Sequence, residues 1–85
     1  MTFGLGMKYH IVIESTPEYA LFEPDIPTEY DLLCVDARET YVVLEQQLGT
    51  CTEVLEFFLA PDGTWWDENC DYKLVAVRVL EARHA

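Results

Sequence analysis

Two apolar runs meet at Ala60-Pro61-Asp62-Gly63-Thr64, and no other stretch restricts the fold so tightly. Proline presets φ at the second position of a turn, and glycine accepts the positive φ that a reversal needs. Residues 53–60 and 64–67 therefore read as two strands closed by that turn. A helical alternative exists for the first of them. Thr50-Cys51-Thr52-Glu53 has the form of a capping box, and Val54, Leu55, Phe58 and Leu59 would share a helical face. The density of β-formers and the turn favour strand. Residues 72–80 follow as the strongest strand, with Val75, Val77 and Val79 on one face and Leu74, Ala76 and Leu80 on the other. Apolar residues on both faces predict a central place in the sheet.

Upstream, residues 8–15 alternate: Tyr9, Ile11 and Ile13 point one way, and Lys8, His10, Val12 and Glu14 the other. Thr16-Pro17 ends that strand. Residues 19–22 read as an apolar loop with a short strand in it, inside an acidic, proline-bounded connection over residues 18–31. Residues 30–35 fit either a buried strand or the approach to a helix. Asp36-Ala37-Arg38-Glu39 resembles a capping box. Ala37, Tyr41, Leu44 and Leu48 follow at helical spacing, with Gly49 placed to end the helix. The expected fold is thus α+β, an antiparallel sheet of about four strands with one helix packed on a face.

The 85 residues make a single domain, with residues 1–6 a dispensable leader if Met7 is the start. The hydrophobic share of 51% is that of a folding chain despite a formal charge of −11. That charge is unevenly spread. Between Tyr9 and Tyr72 lie fifteen carboxylates and one cation, Arg38. Such a surface repels nucleic acid and anionic membranes and attracts basic proteins. The apolar runs are too short to span a bilayer as helices. Cys34, Cys51 and Cys70 fit no disulfide framework, which implies reduced, buried thiols and a cytoplasmic protein.

Familiar chemistry is hard to place in this chain. Asp67, Asn69 and Asp71 match the start of a calcium loop, but Tyr72 stands where glycine is required and Arg78 where the bidentate glutamate should be. A zinc site from His10 and the three cysteines lacks any paired ligand spacing. His10 and His84 have no nucleophile beside them, and no phosphate loop or dinucleotide fingerprint occurs. The expectation is no catalytic residue, no cofactor and no metal. Trp65 and Trp66, adjacent on a strand, face opposite ways, so one is core and the other a partner anchor or a residue of a second packed face.

The acidity carries the functional expectation. Carboxylates at i and i+2 on a strand project from one face about 6.6 Å apart, comparable with the step between neighbouring phosphates. The clusters Glu18, Glu23, Asp25, Glu29, Asp31 and Asp62, Asp67, Glu68, Asp71 supply such charges, with Trp66 or Trp65 and Tyr30 as anchors. In size, anionic middle and these clusters the chain resembles the small acidic inhibitors encoded by phages and mobile elements, including anti-CRISPR proteins and DNA mimics. That resemblance implies a non-enzymatic monomer that occupies a basic, nucleic-acid-binding host protein such as a CRISPR effector subunit. The other readings are an immunity or antitoxin protein neutralising a basic toxin, and a small carboxylate-dependent enzyme or metal-binding domain.

Overall fold

The computed structural model describes residues 2–22 and 28–81. Its elements are β1 (Lys8–Ser15), α1 (Pro17–Phe22), β2 (Glu29–Ala37), β3 (Tyr41–Leu48), β4 (Cys51–Leu59), β5 (Trp65–Trp66) and β6 (Tyr72–Glu81). The strands form a closed antiparallel barrel in chain order, β6 returning to pair with β1. The fold is all-β. This corrects the expected α+β architecture of four strands and a packed helix.

The error lies in residues 36–49. Val42 and Leu44 alternate into the core while Tyr41 and Val43 face outward, and β-branched Val42-Val43 suits a pleated strand better than a helical turn. Asp36 adjoins a register shift between β2 and β3, and Arg38 N–H donates to the Tyr41 carbonyl across the hairpin (2.7 Å). The apparent capping box is a bulge and a turn. Gly49, with φ of +62°, reverses the β3–β4 hairpin between the paired residues Leu48 and Cys51.

The one helix of the described residues occupies the stretch expected to be loop and strand. Thr16 caps it through Oγ1, which accepts from Tyr19 N–H at 3.3 Å, and Pro17 fills the first position, where no N–H is needed. With six residues and none buried, α1 is a lid-sized piece and not a layer of the core.

The core is the inward face of every strand. Tyr9, Ile11, Ile13, Tyr30, Leu32, Cys34, Val42, Leu44, Leu55, Phe57 and Trp65 are all buried. Fully burying each large apolar side chain stabilises by about 1.5–3 kcal/mol. A ring this small is filled by its own side chains. Phe3 stacks edge-on against Tyr9 and Trp65, with ring centroids 5.1 and 5.4 Å away. Gly4 N–H donates to the Tyr9 hydroxyl at 2.6 Å, and Gly6 N–H to the Cys34 carbonyl at 2.8 Å. Residues 2–7 are thus part of the packed structure, closing one end of the barrel.

The Ala60–Thr64 turn forms as expected: Gly63 has φ of +89°, its N–H donates to the Ala60 carbonyl at 2.9 Å, and Ala60 N–H donates to Thr64 at 2.8 Å. β6 is long but not central. It pairs with β1 along its length and with β5 only at Lys73, and Val75, Val79 and Leu80 are exposed. A register shift between Val12 and Ile13 explains its two apolar faces. Before the shift Leu74 turns inward, and beyond it Val77 does. Of the cysteines expected in the core, only Cys34 is buried; Cys51 and Cys70 are exposed free thiols.

Candidate functional site

In a barrel of successive antiparallel strands, alternate connections share an end. Helix α1 after β1, the β3–β4 turn and the β5–β6 loop therefore gather at one end, opposite Phe3. A direct bond ties two of them: Thr16 N–H, at the start of the helix, donates to the Asp71 carbonyl at 2.8 Å. Some members of each acidic cluster of the sequence lie at this end. Glu18 on α1, Glu29 at the start of β2, Glu53 on β4, and Glu68 and Asp71 on the β5–β6 loop come from separate segments of the chain.

At this end lies a cleft of about 510 Å³. Its walls include Tyr19 of α1, Tyr30 of β2, Gln46 of β3 and Tyr72 of β6, with Glu29 and Glu53 beside them. The Tyr19 and Tyr72 rings stand 6.0 Å apart, and Phe57 abuts Tyr72 edge-on from the core side at 5.9 Å. Burial first, then the Asp67 carboxylate, pushes the Tyr72 phenol up to about 12. Tyr30 is raised likewise by burial and then by Glu53. Both phenols are therefore neutral at physiological pH. Ser15, paired with Tyr72 in the β1–β6 ladder, has a buried hydroxyl with no hydrogen-bond partner among the described residues.

The residues singled out from sequence divide into four environments. Glu18, Glu29, Glu68 and Asp71 stand at the cleft end, the first three exposed. Asp67 is buried, and its carboxylate accepts N–H bonds from Asp71 (2.6 Å), Tyr72 (3.0 Å) and Asn69 (3.3 Å), holding a loop in which Cys70 adopts φ of +57°. That carboxylate is committed to its own loop and is not offered to a partner. Asp62 lies on the turn at the other end of β5, exposed, where it accepts from Thr64 N–H at 2.9 Å; this bond holds its pKa below the usual range. Asp31 faces outward on β2, and Glu23 and Asp25 lie outside the described residues.

Glu29 and Asp31 do form an i, i+2 pair, but His10 sits between them. Its Nδ1 meets Asp31 at 2.7 Å and its Nε2 meets Glu29 at 3.1 Å. A neutral imidazole donates from one nitrogen only, whereas the imidazolium satisfies both carboxylates. The bond to Asp31, then that to Glu29, raises the His10 pKa.

Of the tryptophans, Trp65 is the core residue and Trp66 the outward one. Trp66 pairs with Phe58, and Phe58 packs on Tyr41 at 4.9 Å, so one aromatic row crosses three strands. Arg38 lies over the Tyr41 ring at 5.9 Å and Lys73 over the Trp66 ring at 5.8 Å. The Tyr41 hydroxyl donates to Glu56, which raises the phenol pKa.

No protein-family model matches this chain, and no curated protein or solved structure matches it either. Geometry alone therefore carries the functional argument. His10, Cys34, Cys51 and Cys70 do not assemble into a zinc site, and no cluster of the described residues has the arrangement to hold a metal ion. No helix of the described residues is long and apolar enough to cross a membrane. Sequence reasoning missed Tyr19, Tyr72, Gln46 and Glu53 as site residues, because four elements bring them together and no local spacing marks them.

Proposed function

We propose that the protein is a non-enzymatic inhibitor whose acidic barrel end docks on the nucleic-acid-binding surface of a basic host defence protein, a CRISPR effector being the type of partner in view. The observation that supports it is that Glu18, Glu29, Glu53, Glu68 and Asp71 share one end of the barrel, where Glu29 and Glu53 line a cleft with no lysine or arginine among its described lining residues. Carboxylates on a closed barrel keep their spacing without the entropy cost that a disordered acidic tail would bear on binding. The inhibitor would act in the cytoplasm, where its three free thiols stay reduced.

The test is competition for DNA. Added to purified CRISPR effector complexes, the protein should abolish DNA capture in a gel shift, and inhibition should weaken as salt rises. The double reversal Glu18→Lys with Glu68→Lys touches two exposed residues of this end and should weaken inhibition roughly 10-fold or more through lost steering and contact. Undiminished inhibition by that variant would remove mimicry at this end. Rescue of cells from one basic toxin, with DNA capture untouched, would establish the antitoxin reading in its place.

A further inference from the structure

We propose that the cleft at the acidic end of the barrel is a binding site for an organic cation, a guanidinium or ammonium group, held by Tyr19, Tyr30, Tyr72 and Glu53. It rests on the proposed function only in taking an arginine or lysine of the basic partner as the source of that group. The ligand class follows from what the walls can satisfy. Three tyrosine rings line the cleft from three elements, and the faces of aromatic rings attract cations, most strongly where water is excluded. Glu53 and Glu29 stand on the same lining, and Gln46 adds an amide that can accept a hydrogen bond from the cation.

Other occupants fit worse. An anion would meet the Glu53 carboxylate with no lysine or arginine among the described lining residues to offset it, Glu29 being paired with His10. A purely apolar ligand would take the Glu53 carboxylate out of water with nothing to pair it, which is costly. A cation pairs with the Glu53 carboxylate, stacks on the rings and donates to the oxygens at once. The cleft, about 510 Å³, falls within the range of small-molecule sites and accepts a whole arginine side chain with water beside it. The barrel core beneath it is filled, with Leu55 and Phe57 buried, so a ligand would rest on a formed floor.

The probe is methylguanidinium chloride, read by the tyrosine ring signals in NMR, with sodium chloride at equal ionic strength as the control. Saturable shifts confined to Tyr19, Tyr30 and Tyr72, with a Kd on the order of millimolar, are expected. A bound cation should also bring the Tyr72 phenol down from about 12 toward its ordinary value of 10.0, seen as earlier tyrosinate absorbance on alkaline titration. Glu53→Gln and Tyr19→Leu alter exposed or half-exposed positions. Each should weaken methylguanidinium at least about five-fold while leaving the thermal unfolding transition in place. Identical shifts with sodium chloride, or unchanged affinity in both variants, would overturn the site.

The source of the cation is read in a separate arm. An arginine-containing peptide binding at least about ten-fold tighter than methylguanidinium supports a protein side chain as the ligand; equal affinity points to a free small cation and overturns that assignment. Methylguanidinium binding by a protein that fails to block DNA capture would leave the cleft standing and sink the inhibitor reading, so the two failures are distinguishable.

Discussion

Asp67 shows how a residue that reads as surface charge can be structural. With its carboxylate buried and accepting three backbone N–H groups, Asp67→Ala should destabilise by about 2–4 kcal/mol, measured by urea unfolding. Asp67→Asn, which keeps one acceptor oxygen, should lose less. Equal stability of wild type and the alanine variant would mean that water replaces the carboxylate in the loop. His10 carries the pH dependence. Because its folded pKa is raised above 6.5, the stability it contributes is fully present below the unfolded value and is lost as pH rises through the folded one. His10→Gln should therefore unfold more readily than wild type at pH 5.5 and match it at pH 9. A deficit of the same size at both pH values would contradict the ion-pair account.

Among the elements, residues 2–7 close the barrel end opposite the cleft through Phe3. Phe3 is only half buried, so Phe3→Ala should cost about 2 kcal/mol, roughly 10 °C in Tm for a domain of this size. A Tm within a degree of wild type would restore the reading of this stretch as a dispensable leader. Strands and turns were legible where the signal is local. The alternation of β1 and the Pro61-Asp62-Gly63 turn needed no tertiary information. Residues 36–49 satisfied two periods at once, since Ala37, Tyr41, Leu44 and Leu48 fit a helix while Val42 and Leu44 fit a strand; pairing with β2 and β4 decides it. The two-faced apolarity of β6 pointed to a central strand because a bulge, invisible in sequence, changes which residues turn inward.

For the molecule as a whole, the property least legible in sequence is closure. Pairing of β1 with β6 joins the first and last strands, and no local pattern announces it. Closure also decides the candidate site, since it sets the connections after β1, β3 and β5 at one end. The acidic clusters were visible as composition, but which of their members share an end with the tyrosine-lined cleft depends on that topology. The central claim is that this end is the docking surface. Amide hydrogen exchange of the protein, free and bound to an inhibited effector, tests it directly. Protection gained on the β3–β4 turn at residues 49–50 and the β5–β6 loop at residues 67–71 is the predicted result. Protection confined to the opposite connections, residues 38–40 and 60–64, would contradict it.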